Sequence, residues 1–173
     1  MIGVNKILIT YYDSPCGRLC LGAISDTLCL CDWVVAGGGC RDSIIRRLTR
    51  KLDAEIVESP SPVTAEAARQ LDEYFAGERR EFSLNLTVCG TEFQRRVWDE
   101  LSRLAHGERI TYSELARRVG NEKAFRAVAG ACNANSLSIF IPCHRIVGSD
   151  GTLTGYAGGK AAKFHLLALE QQR

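Results

Sequence analysis

Residues 111–132 read TYSELARRVGNEKAFRAVAGAC, and this stretch sets the architecture of the C-terminal half. Thr111-Tyr112-Ser113-Glu114 is a capping box: the threonine hydroxyl can accept the amide three residues on, and the glutamate can reach back. The helix it opens should end at Gly120. Asn121 is then suited to cap a following helix that runs to about Cys132. Two helices joined by Val119-Gly120-Asn121 predict a helix-turn-helix. Pairs of this kind also occur in proteins that never touch DNA, so the turn alone predicts an architecture and not a partner. The second helix, Glu122 to Ala131, is rich in small residues and can approach a surface closely. It offers only Lys123 and Arg126 outward, whereas a base-reading helix presents several amide and cationic side chains. It suits lying in a groove better than reading a sequence.

Upstream, Thr91-Glu92-Phe93-Gln94 is a second capping box, followed by Phe93, Val97, Leu101 and Leu104 at helical spacing. Before that the texture changes. Lys6–Tyr12, Arg18–Ile24 and Thr27–Trp33 are short apolar segments separated by turn formers, as in a hairpin meander. Asp42–Leu52 places Ile44, Ile45, Leu48 and Leu52 on one helical face, and a second helix is expected over Thr64–Ala76, capped by Thr64 and stopped by Gly77. The fold class is therefore α/β plus α. A small α/β domain is expected over residues 1–82 and a helical domain over residues 83–173.

Composition narrows the class of function. The chain has 173 residues, 46% hydrophobic and 24% charged, as in an ordinary globular protein. Residues 1–82 carry 10 Lys/Arg and 12 Asp/Glu, a net of −2; residues 83–173 carry 12 and 8, a net of +4. That asymmetry fits a C-terminal half that approaches phosphates. Met1–Tyr12 lacks the apolar run of a signal peptide, and no segment reaches membrane-spanning length, so a cytoplasmic protein without membrane contact is expected. In a reducing compartment the eight cysteines should be free thiols. No His precedes His106 and there is no Cys-x-x-Cys pair, so Cys29 and Cys31 read as core positions on a strand and no metal is expected.

Downstream of the helix pair the chemistry concentrates. Ser138-Ile139-Phe140-Ile141 reads as a buried strand, and Pro142 should hold Ile141 extended so that Cys143 emerges at the strand end. A thiol must ionise to be a strong nucleophile, and the adjacent His144 can act as its base. Neighbouring side chains on an extended segment point apart, so this requires a local turn or a bridging water. Asp150-Gly151 predicts a hairpin turn, Gly155–Gly159 a flexible loop, and Lys160–Gln171 a last helix. Glu170 on that helix could orient His144 in a Cys-His-Glu relay.

Pro142-Cys143-His144-Arg145-Ile146-Val147, Gly155-Tyr156-Ala157-Gly158-Gly159 and Leu166-Leu167-x-x-Glu170 together resemble the O6-alkylguanine-DNA alkyltransferases. Gly90-x-x-Phe93-Gln94-x-x-Val97-Trp98, Gly107-x-x-Ile110-x-Tyr112 and Arg126-Ala127-Val128 extend the likeness, which covers residues 89–170; the first half matches more loosely, at Tyr12-Asp13-Ser14-Pro15-x-Gly17. The resemblance implies a ribonuclease H-like N-terminal domain and a winged-helix-like C-terminal domain. It implies a monomer that binds the minor groove of double-stranded DNA and flips an alkylated guanine into a pocket, with O4-alkylthymine as a second candidate substrate. It further implies that Cys143 accepts the alkyl group, His144 is the base through a water, and Glu170 orients it. Tyr112 would donate to the guanine ring, Arg126 would fill the gap in the stack with Lys123 nearby, and Asn135 would be the hinge behind the recognition helix. Ile146, Tyr156, Ala157 and Gly158 would line the base pocket.

Displacement at an oxygen-bound alkyl carbon needs an activated nucleophile and a proton for the leaving base, and neither metal nor cofactor. A thioether has no easy reverse path, so the reaction is expected once per molecule. Ser136 and Ser138 stand where many members of that family have proline, which implies a softer turn and a roomier pocket rim. A lesion sensor without transfer would need another residue at 143, and a helix-turn-helix regulator would need an effector or dimerisation module, which is not visible.

Overall fold

The computed structural model describes residues 3–153 and 155–172. The chain divides into two compact units, Met1–Cys89 and Gly90–Arg173.

In the first unit three antiparallel strands, β1 (Asn5–Ser14), β2 (Gly17–Ile24) and β3 (Thr27–Trp33), are joined by a fourth, β4 (Ala54–Glu58), in the order β3-β2-β1-β4. β4 runs parallel to β1, so the expected meander is a mixed sheet, reached by a crossover through helix α1 (Asp42–Leu52). Both faces of the sheet are covered. Ile7, Ile9, Cys20 and Cys29 form one core with Ile44 and Leu48 of α1. Tyr12, on the opposite face of β1, donates to Asp72 of helix α2 (Pro62–Phe75) at 2.6 Å. This two-sided burial explains why β2 and β3 read as nearly continuous apolar runs.

Several expectations are corrected here. Helix α2 begins at Pro62, capped by Ser61 and not Thr64; Thr64 instead answers Ser61 as the third helical residue of a capping box. Proline at the first helical position fits because its missing amide has no partner to lose there. Residues beyond 82 still belong to this unit, since Leu28 and residues 85–87 exchange backbone hydrogen bonds of 2.9 Å. Cys29 and Cys31 are fully buried, but not every cysteine is a free thiol: Cys20 and Cys40 form a disulfide that ties β2 to the segment entering α1. Beside it, Arg41 grips the buried Asp32 with bonds of 2.8 and 3.0 Å.

The second unit consists of α3 (Glu92–Ser102), β5 (Ile110–Thr111), α4 (Tyr112–Arg118), α5 (Phe125–Asn133), β6 (Ile146–Val147) and α6 (Lys160–Gln171), with β5 and β6 pairing in parallel. Thr91 caps α3 in the capping box its sequence predicts; Thr111 caps α4, but Glu114 does not reach back, its carboxylate being held by Arg117 and Arg118. The indole of Trp98 donates to Ala131 O at 2.9 Å and locks α3 against α5. Helix α5 starts at Phe125, later than expected, because Asn121 spends its side chain on the Lys123 amide within a turn of its own. Ser138–Ile141 is not a strand. Ile139 adopts φ +74°, a left-handed conformation rare for a β-branched residue, and the chain doubles back in a single Ser138–Ile141 bridge. The turn at Asp150-Gly151 closes on itself, with Gly148 N donating to Thr152 O at 2.9 Å, and among the described residues joins no pair of strands. Among the described residues no helix is long and apolar enough to cross a membrane.

Candidate active site

Asn135, two residues past α5 and buried, organises the segment that follows. Its carbonyl accepts Leu137 N at 2.9 Å, and its amide donates to Ile141 O at 2.9 Å and to the Cys143 sulfur at 3.3 Å. One side chain thus staples both ends of a six-residue loop and touches the thiol. Ile141 N donates back to Leu137 O at 2.8 Å, which helps to hold Ile139 in its strained conformation. The Ser138 hydroxyl inside this loop is buried without a hydrogen-bond partner.

Pro142 ends the loop and Cys143–Arg145 form a 3₁₀ turn, so Cys143 does not sit at a strand end. The turn sends His144 and Arg145 inward, and all three residues are buried. His144 Nε2 donates to Glu170 Oε1 at 2.8 Å. Arg145 grips the same carboxylate with both arms of its guanidinium, Nε to Oε2 and Nη2 to Oε1, each at 2.9 Å. Its remaining arm donates to Leu104 O at 2.8 Å, and Gly107 N adds a longer contact of 3.4 Å to Glu170. The other imidazole nitrogen of His144, Nδ1, is buried with no hydrogen bond.

The electrostatics follow from this wiring. Burial pushes His144 below its ordinary value, against the pull of Glu170. Burial would push Glu170 up, but the hydrogen bonds from His144 and Arg145 outweigh it and hold the carboxyl well below the usual range. Tyr112 is half-buried, and burial, with the neighbouring Cys132 and Cys143, pushes its phenol up to about 12. It therefore keeps its proton through the neutral range.

Tyr112 lies close enough to Cys132 and Cys143 to feel both thiols. A Cβ added at Gly155, whose φ is +81°, would come within 3.1 Å of the Tyr112 hydroxyl, so glycine is needed there on both counts. The Tyr156 ring meets His144 edge-on at 6.5 Å between centroids. Ile146 is buried in β6, while Ala157 and Gly158 are half-exposed in the loop before α6. Arg126 and Lys123 are exposed, the first on α5 and the second in the turn before it. The structure thus joins Cys143 to Asn135 and His144 to Glu170, and leaves the two cations at the surface.

Two members of the site were missed in the sequence. Lys163 on α6 is 1% exposed, its ammonium 5.8 Å from the Tyr112 ring centre and pushed down by burial. Arg145 serves the carboxylate as fully as His144 does. The readable signal was a lysine and a glutamate seven positions apart on the apolar stripe of α6. Among the described residues no group of His, Cys, Asp and Glu side chains is arranged to hold a metal ion.

A buried thiol touched by an amide donor, a histidine with one open nitrogen and a phenol that retains its proton can carry out a nucleophilic displacement with proton transfer at both ends. Two family models match the chain: residues 92–172 match the 6-O-methylguanine DNA methyltransferase DNA binding domain, and residues 7–88 its ribonuclease-like domain. The methylated-DNA--protein-cysteine methyltransferase of Haemophilus influenzae is 39% identical over 169 residues, 97% of this chain and 88% of that protein. The chain belongs to the 6-O-methylguanine DNA methyltransferase family. The constitutive methylated-DNA--protein-cysteine methyltransferase of Bacillus subtilis is 51% identical over 112 residues, 64% of this chain and 68% of that one. The crystal structure of Mycobacterium tuberculosis OGT in complex with DNA superposes with a TM-score of 0.81 at 35% identity, covering 95% and 93% of the two chains. Every residue of the site, from Tyr112 to Glu170, lies within the segment matched to the methyltransferase family's DNA binding domain.

Proposed function

We propose that this protein repairs O6-alkylguanine in DNA by transferring the alkyl group to Cys143, once per molecule. The observation that carries the reading is the joining of a buried cysteine, a histidine and a glutamate in one turn and one helix of a methyltransferase-family chain.

The step balances without a cofactor. The Cys143 proton passes through a water to His144 Nδ1, while Nε2 keeps its proton on Glu170. The thiolate attacks the alkyl carbon, the carbon–oxygen bond breaks and its electrons return to the guanine ring. Tyr112 protonates a ring nitrogen, which spares the leaving base a full negative charge, and the proton taken up by His144 returns through water to the phenolate. The products are unmodified guanine and a thioether. The Asn135 amide, 3.3 Å from the sulfur, supports the thiolate before attack.

On this reading α4 and α5 act as a helix-turn-helix that enters the minor groove, and the small residues of α5 allow close approach. The exposure of Arg126 supports a role for it in the stack once the guanine has left, with Lys123 near the phosphates. Tyr156, Ala157, Gly158 and Ile146 would receive the base. Cys143→Ala tests the assignment: it should still bind alkylated duplex yet leave the lesion intact. Repair by that variant would move the acceptor elsewhere.

A further inference from the structure

The Cys-His-Glu reading leaves an electrostatic problem that Arg145, beside the burial of His144, helps to solve. His144 and Glu170 side chains are both fully buried and 2.8 Å apart. A lone carboxylate that close in a poorly solvated site would draw a proton onto the imidazole and stabilise the imidazolium. An imidazolium cannot accept the proton of Cys143. Arg145 occupies both oxygens of the same carboxylate, at 2.9 Å each, and is itself anchored to Leu104 O.

We propose that Arg145 is a positioning residue that keeps His144 neutral, with Nε2–H on Glu170 and Nδ1 open, by neutralising the carboxylate that His144 leans on. This rests on the reading of His144 as the base. The groups that face His144 are Glu170 and Lys163 from α6, Arg145 and Cys143 from its own turn, and the Tyr156 ring from the loop before α6. Glu170 alone among them favours the imidazolium; burial opposes it first, and the two cations add to that opposition. The fork matters beyond its charge: guanidinium matches a carboxylate in two parallel bonds, which fixes the Glu170 plane toward His144.

The test compares the wild type, Arg145→Lys and Arg145→Gln in single-turnover transfer from methylated duplex across pH, alongside the His144 titration followed by NMR on the full chain without DNA. With three histidines in the chain, the His144 signals can be assigned by substitution of the other two. Arg145→Gln should raise the His144 titration and the acid limb of the rate profile together by about one unit or more, so that its deficit is roughly tenfold larger on the acid side than on the alkaline side. Arg145→Lys, which keeps the cation, should stay near the wild-type midpoint with a lower plateau. The wild-type protein should show the neutral, Nε2-protonated tautomer at neutral pH, a readout that needs no variant to fold. A wild-type imidazolium at neutral pH, or an equal loss at every pH with the titration unmoved, would overturn the proposal. The two readings fail separately: a wild type that transfers no methyl removes the proposed function, while the NMR titration still judges Arg145.

Discussion

The Asn135 amide lies 3.3 Å from the Cys143 sulfur while its carbonyl holds Leu137 N at 2.9 Å. The residue that shapes the loop therefore also touches the nucleophile. Asn135→Asp keeps the carbonyl acceptor but replaces the amide donor with negative charge. It should raise the pH at which Cys143 becomes reactive to iodoacetamide and slow alkyl transfer in proportion. Asn135→Ala should also lower stability by about 1–3 kcal/mol, because the buried Leu137 amide loses its partner and the Ile141 carbonyl keeps only the Cys143 amide. An unchanged iodoacetamide profile in Asn135→Asp would show that the contact is structural only.

Tyr112 and Glu170 should separate by pH. Tyr112→Phe removes the proton donor and should slow transfer on the order of 10²- to 10⁴-fold. Glu170→Gln leaves His144 poorly oriented, so fewer thiolates form. Raising the pH ionises the thiol directly and should partly rescue Glu170→Gln but not Tyr112→Phe. Equal rescue of the two would mean that the acid and base roles are wrongly assigned.

Much of this site could be read from the residues, and what could not has a physical reason. Helices α1 and α6 fall where periodicity and punctuation put them, and Thr91 and Thr111 accept the amides that their spacing assigns them. Local chemistry decides such features. Strand β4 was missed because Ala54–Glu58 is short and half-exposed at the sheet edge, and only its partner β1 makes it a strand. The apolar run Ser138–Ile141 has strand composition, but the Asn135 side chain, bonded two and six residues ahead, bends it into a loop with Ile139 left-handed. The disulfide was obscured for a similar reason: twenty residues separate Cys20 from Cys40, and the fold alone brings them together.

That disulfide gives a prediction of its own. A crosslink that closes a loop of this length stabilises by about 3 kcal/mol through the unfolded chain. Reduction should therefore lower the melting temperature of the wild-type protein by several degrees, and Cys40→Ser should melt at one temperature with or without reductant. A wild-type melt indifferent to reductant, with both thiols open to alkylation after unfolding, would show that the pair is unbonded in solution.

Arg126 isolates the extrusion of the base. Flipping a guanine from duplex costs a few kcal/mol, and a side chain that enters the stack offsets part of it. Free O6-benzylguanine needs no extrusion. Arg126→Ala should slow repair of duplex severely, repair of single strands less, and reaction with the free base scarcely at all. The comparison belongs at saturating DNA, since loss of a cation by itself weakens binding to a polyanion. Equal losses on duplex and free base would place Arg126 in the support of the pocket or the fold instead.

Stoichiometry and the site of the product test the central claim together. The protein is titrated with excess duplex carrying O6-methylguanine, repaired lesions are counted, and the peptides are mapped by mass spectrometry. Transfer to Cys143 predicts that repair stops at one lesion per molecule, with a single added methyl on the peptide that contains Cys143. Repeated turnover, or a methyl on another residue such as the neighbouring Cys132, would contradict it.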